Sequence, residues 1–274
     1  MVSLPRWLAR FLFYLGLSVY AFLLVLPLLN LFAASFKSDG ELFAPGFWPA
    51  NPTLEPYLEA LQKYPLARYL FNSAVVALAT TLGVILVSAT MGYALARIPF
   101  PGQGLLFGFV VALLLIPGEV TFLPLYLLVQ GFGWLNTYTA LIVPFVASPL
   151  GVFLLRQFIK SLPQDLFDAA RIDGAGHLRM LWHVALPLSA PALGALAALT
   201  FLGSWNMYLW PLVTVNRSEM MTAQIAVAQV QNVEVTAWNV VAATAILVLL
   251  PTLIAFLLAQ RFFIRGIALG GLKG

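Results

Sequence analysis

Six stretches of this 274-residue chain contain no charged side chain: 11–36, 69–96, 98–118, 120–155, 180–216 and 235–260. A membrane-spanning helix needs roughly 20 apolar residues at about 1.5 Å of rise each, and every gap can hold one. The composition agrees, with 62% hydrophobic and 9% charged positions, against about 45–50% and about 25% in soluble domains. A soluble enzyme, a disordered chain and a coiled coil are excluded, since none tolerates so little charge. The chain has no cysteine, so it can offer no disulfide, thiolate nucleophile or Cys-based metal site.

The gaps predict an all-α integral membrane protein with six transmembrane helices, at about 11–35, 69–96, 104–129, 138–157, 185–210 and 237–261. Residues 1–274 form a single transmembrane domain in this reading. The gap 120–155 also holds Pro124 and the turn-like run Gly131 to Asn136, so its first part reads as an interfacial segment. The first apolar run is too long for a signal-peptide h-region and reads as a retained span. With the N-terminus inside, Arg6, Arg10, Arg97, Arg156, Lys160, Arg171, Arg179, Arg261, Arg265 and Lys273 fall on the cytoplasmic side. Only Lys37, Lys63, Arg68 and Arg217 fall outside, as the positive-inside rule requires. Both termini are therefore expected in the cytoplasm. Within 73–96, Ser73, Ala74, Ala77, Gly83, Ser88, Ala89 and Gly92 recur at spacings that let helices approach closely.

The inner segment 157–187 is the most informative. Ser161 can cap a helix with Pro163 in its first turn and Asp165 and Asp168 at its positive end. Leu166, Phe167, Ala170 and Ile172 leave an apolar stripe, Asp165, Asp168 and Arg171 line another, and Gly174 ends the helix. Such a helix can simply lie on lipid headgroups.

Asp168-Ala169-Ala170, three further residues, Gly174, nine more, then Val184-Ala185-Leu186-Pro187 resembles the EAA loop of binding-protein-dependent ABC importer permeases. Asp168 and Val184 stand where that pattern has Glu and Ile. Trp205-Asn206-Met207-Tyr208-Leu209-Trp210-Pro211, the tail from Gln260 to Gly274, Ile116-Pro117-Gly118-Glu119 and Phe47-Trp48-Pro49 with Tyr57 are similar to the second permease subunit of maltose-type sugar importers. Glycerol phosphate permeases are also similar. The resemblance implies a type I ABC importer permease fold with a cytoplasmic coupling helix, in a bacterial or archaeal inner membrane. It implies a second, homologous permease, two ATPase subunits that bind MgATP, an external solute-binding protein and a sugar or oligosaccharide as solute. Phe167, Asp168, Ala169, Ala170, Ile172, Asp173, Gly174 and Pro187 are then the ATPase-coupling residues, with Asp168 as polar anchor, and the tail is expected to reach the ATPase.

No Gly-x-x-x-x-Gly-Lys-Ser/Thr run occurs, so any ATP hydrolysis belongs to a partner. No cofactor, metal or nucleic acid is expected on this chain, and its membrane-facing partner is lipid. His177 and His183 lie six apart rather than the three or four that suit a shared metal. Asp165, Asp168 and Asp173 read as local salt links and caps. Glu119, beside Pro117 and Gly118, is expected at the outer end of the third span. With Asn72, Asn206 and Tyr208 it is a candidate lining of the translocation path. Those three, like Thr80, Thr81, Ser88 and Asn239, can equally be interhelical glue. Trp205, Trp210 and Trp238 read as interfacial aromatics, and 211–236 as an exposed outer loop. An ion-coupled secondary carrier or a membrane-embedded enzyme would need buried acids or a catalytic cluster, and neither is evident. The charge-free gaps offer no cation for a phosphate, which points to a neutral solute.

Overall fold

The structure, a computed structural model, describes residues 5–231 and 237–271, with side chains to Gln260. Val233 and Glu234 of the outer segment, the side chains of Arg261 and Arg265, and the tail residue Lys273 lie outside the described residues. Every regular element described is helical: α1 (Arg6–Ala34), α2 (Glu55–Lys63), α3 (Leu66–Arg97), α4 (Gln103–Leu113), α5 (Gly118–Gly131), α6 (Tyr138–Val146), α7 (Pro149–Ser161), α8 (Gln164–Ile172), α9 (His177–Met180), α10 (Leu186–Leu188), α11 (Ala190–Trp205), α12 (Leu209–Thr214), α13 (Ala223–Gln231) and α14 (Trp238–Gly271). A π-helical turn, Leu181–Ala185, joins α9 to α10.

Four described helical stretches are long and apolar enough to cross a membrane: Arg6–Ala34, Leu66–Arg97, Tyr138–Ser161 and Trp238–Gln260. Two more qualify only as bent pairs, α4 with α5 at 99° and His177–Leu188 with α11 at 80°. The expected spans 104–129 and 185–210 fall on these bent pairs. Proline explains both breaks, because it lacks the amide that would continue the ladder and disfavours helix in the residue before it. Pro117 precedes α5, and Pro187 and Pro191 flank the turn at Ser189.

The chain divides into two compact units, 1–66 with 226–249 and 67–225 with 250–274. In the first, α1 buries only Ala33, and its remaining apolar side chains are left for lipid or protein. Ser35 Oγ and Tyr57 OH lie 2.7 Å apart, Lys37 donates to the Gly46 carbonyl at 2.9 Å, and Asn239 donates to the Lys37 carbonyl at 3.1 Å. Phe36 packs on Trp48 and Tyr57. Asn239 is thus glue between segments, as one of its two readings held.

In the second unit α3 is the axis. A Cβ at Gly92 would lie 3.0 Å from the Arg156 amide nitrogen, and one at Gly83 only 2.6 Å from Val146. These glycines let α6 and α7 approach the α3 backbone, the close packing that the small residues predict. At one end of α3, Asn72 is fully buried and donates to the Glu219 and Met221 carbonyls at 2.8 and 2.7 Å. It accepts from Tyr138 OH at 2.7 Å. Asn136, at a left-handed φ of 62°, accepts the amides of Asn216 and Arg217 at 2.8 and 3.0 Å. The run 211–225 is consequently only in part an exposed loop: Leu212, Val213 and 216–219 are exposed as expected. Val215, Thr222, Ala223 and Ile225 are buried.

Trp205 and Trp210 are buried as well, which corrects their reading as interfacial aromatics. Trp210 packs edge-on against Phe122 and Phe145 and donates to the Ala140 carbonyl at 2.9 Å. Trp238 is exposed.

Candidate functional site

At the opposite end of α3, the segment 157–187 is held to the bundle by one cation. Arg97, the last residue of α3, donates to the carbonyls of Ile159 and Leu162 at 2.7 and 2.6 Å and to Gln164 Oε1. Those acceptors are the end of α7, the linker and the first residue of α8. Its guanidinium also lies 4.0 Å from the centre of the Phe167 ring, within cation–π range. Tyr93, one turn back, packs on Phe167 and places its hydroxyl 3.3 Å from His177 Nδ1. The sequence reading missed this hub. Its available signal was the isolation of Arg97 between two charge-free gaps.

The helix itself differs in detail from the expectation. Ser161 closes α7, donating to the Phe158 carbonyl at 2.8 Å, and does not cap α8, whose N-cap position is Pro163. Phe167 is 2% exposed and packs into a core of Val84, Tyr93, Leu155, Ile159 and Met180. It cannot fill a partner's groove as expected; it holds α8 on its own bundle. Ala170 packs beside it. Leu166, Ala169, Ile172 and Asp173 face out, with Ile172 87% exposed. Asp168, half-buried, accepts from Gln164 at 3.0 Å and meets Arg171 at 3.5 Å, a partly exposed pair worth little by itself.

Gly174 adopts φ +77°. The Ala175 amide bonds the Ala170 carbonyl at 2.9 Å and the Gly174 amide bonds Arg171 at 3.0 Å, the glycine-terminated helix end that the sequence predicts. A Cβ there would meet nothing within 4 Å, so the demand on glycine is conformational within this chain. Gly174→Val should cost roughly 1–2 kcal/mol for the left-handed backbone, while Gly174→Asn should be far milder. Uptake measured for both variants checks this, and equal uptake would count against it. Pro187 sits exposed in α10 just after the π-helical turn.

Three of the four candidate path residues meet in one cavity of about 510 Å³. Glu119 comes from the first turn of α5, where it complements the helix dipole. Asn206 and Tyr208 come from the turn between α11 and α12. The two flanking tryptophans turn inward there and leave Asn206 and Tyr208 exposed. Gln224 donates to Asn206 Oδ1 at 3.0 Å, so the Asn206 amide hydrogens remain for a ligand. Asn72 is removed from the path, because burial and three hydrogen bonds use its side chain up. Glu119 stands just after the bend between α4 and α5. A second cavity of about 350 Å³ holds Thr80, Ser148 and Thr200, and shares Phe145 and Met207 with the first. Thr81 instead bonds its own helix at the Ala77 carbonyl, 2.7 Å away. Among the described residues no group of three or more His, Asp or Glu side chains could hold a metal. His183 lies against the Arg179 carbonyl at 3.1 Å.

The described residues are thus a helical membrane protein with four candidate spans and two bent pairs, carrying an amphipathic helix held against the end of α3. Residues 85–268 match the profile of the binding-protein-dependent transport system inner membrane component family, and the chain belongs to that family. It is 37% identical over 265 residues, 95% of each chain, to the arabinooligosaccharides transport system permease protein AraQ of Halalkalibacterium halodurans. It is 36% identical to the sn-glycerol-3-phosphate transport system permease protein UgpE of Yersinia enterocolitica, covering 89% of this chain and 91% of that one. Its fold matches a bacterial ABC transporter involved in import of the acidic polysaccharide alginate, with TM-score 0.86 over 96% of this chain and 100% of the other at 20% identity. The chain is therefore a non-catalytic, membrane-embedded importer subunit, and the carrier and membrane-enzyme alternatives fall away.

Proposed function

We propose that this chain pairs with a different, homologous permease, two ATPase subunits and an external solute-binding protein, and that the assembly imports a neutral sugar or oligosaccharide. The observation that carries the reading is the clamped helix α8. Arg97 and Phe167 fix it to α3 and α7, while Leu166, Ala169, Ile172 and Asp173 stay outward. An apolar face with a charge beside it suits a groove in a soluble partner. A rigid mount lets motion of that partner reach the spans. Asp168 then tunes register, Pro187 sets the next span at its angle, and MgATP stays on the ATPases. The cytoplasmic side is the one bearing α8, in keeping with its excess of Lys and Arg, with both termini on that side.

AraQ-like relatives favour the sugar, and UgpE-like ones glycerol 3-phosphate. The absence of Lys and Arg from the lining of the Glu119 cavity supports the former. Intact-mass analysis of the tagged chain, purified from its native membrane in mild detergent, tests the assembly. One different permease and two ATPase chains are expected to copurify; a lone chain or a homo-oligomer would defeat the reading. Asp168→Lys should lower the ATPase recovery in the same preparation by repelling Arg171 and reversing the charge at the docking face.

A further inference from the structure

We infer that the Glu119 carboxylate makes the cavity between α5 and the α11–α12 turn an anion-rejecting filter, so that the solute passing it is neutral and polyhydroxylated. The inference rests on the transport reading above. The lining contains one carboxylate and neither Lys nor Arg. Glu119 has no hydrogen-bond or ion-pair partner among the described residues. Its negative charge is consequently uncompensated where it faces the cavity. Beside it stand the Thr121 and Tyr208 hydroxyls and the free donors of Asn206, while Phe122 and Phe145 supply apolar ring surface. A carboxylate accepts from sugar hydroxyls, and aromatic faces cover the C–H face of a pyranose or furanose. A phosphate or uronate would meet like charge with no cation from this chain to offset it, and such groups call for Arg or Lys. Low-dielectric walls strengthen that repulsion, and water entering the open cavity moderates it.

The chain's lack of cysteine allows a direct test on the purified importer. Thr121→Cys is labelled with a cationic and an anionic methanethiosulfonate of similar size, and modification of this chain is read by mass. The cationic-to-anionic rate ratio, normalised to 2-mercaptoethanol, should be raised about tenfold with Glu119 present and should return to the free-thiol value with Glu119→Gln. Asn206→Cys with Glu119 intact gives a second probe that needs no change at Glu119, and should show the same bias. A ratio unaffected by Glu119, or no labelling at either position, would overturn the filter. Transport of radiolabelled sn-glycerol 3-phosphate by proteoliposomes holding the importer and its binding protein should stay at background, and uptake would overturn the solute class. Loss of the ATPases on purification would defeat the importer reading alone, since the labelling ratio can still be measured on this chain.

Discussion

Phe167→Ala should leave the importer assembled and hydrolysing ATP but carrying little solute per ATP. Truncating a buried phenylalanine costs about 3–5 kcal/mol, and this ring is the floor on which α8 rests. Without it the Arg97 guanidinium loses its aromatic contact, and α8 gains freedom relative to α3. Arg97→Ala should act in the same direction. It removes three hydrogen bonds, those to Gln164 and to the Ile159 and Leu162 carbonyls, each of the kind worth about 1.5–3 kcal/mol when a charge takes part. Because both side chains brace one element, the double variant should cost clearly less than the sum of the single ones. Solute uptake and ATP hydrolysis measured together in proteoliposomes report the coupling. A wild-type ratio in Phe167→Ala would show that α8 is held by something else.

The second large effect is expected at the other end of α3. Asn72→Ala removes three hydrogen bonds, two given to the Glu219 and Met221 carbonyls and one accepted from the Tyr138 hydroxyl, each of a kind worth about 0.5–1.5 kcal/mol. Heat inactivation of the detergent-purified complex should begin at a clearly lower temperature, with Asn72→Gln also impaired because its amide sits one methylene too far out. Asn206→Ala, lining a cavity instead, should change solute affinity and leave heat resistance nearly untouched. Reversal of that contrast would mean that Asn72 serves the solute path and that the packing account is wrong.

Helix α8 and its glycine end were legible because they depend on local chemistry: a Pro, an acid in the first turn, a stripe and a left-handed stop within a dozen residues. Which face of that stripe turns inward was not legible. Phe167 and Ile172 are both apolar, and only the position of Arg97 and Tyr93, about seventy residues earlier in the chain, decides that one is core and the other surface. Asn72 was ambiguous for the same reason, its partners being 66 to 149 positions away. The tryptophans of 205–210 misled because an interfacial belt and a buried core both suit an amphipathic ring. Glu119, Asn206 and Tyr208 were each legible as polar outliers in apolar surroundings, but their convergence on one cavity was not. The spans were legible as charge-free gaps; such gaps do not record whether a proline inside them breaks the helix or merely bends it.

The bend between α4 and α5 limits what can surround it. Leu114, Leu115 and Ile116 close their amides onto the 111–113 carbonyls, yet a 99° turn at Pro117 interrupts the ladder and leaves backbone groups with no helical partner. Hydrocarbon offers such groups nothing, at a cost of several kcal/mol apiece. The segment 114–119 must therefore be hydrated or sheathed in protein wherever it lies in depth, so acyl chains are kept off the broken helix where Glu119 stands.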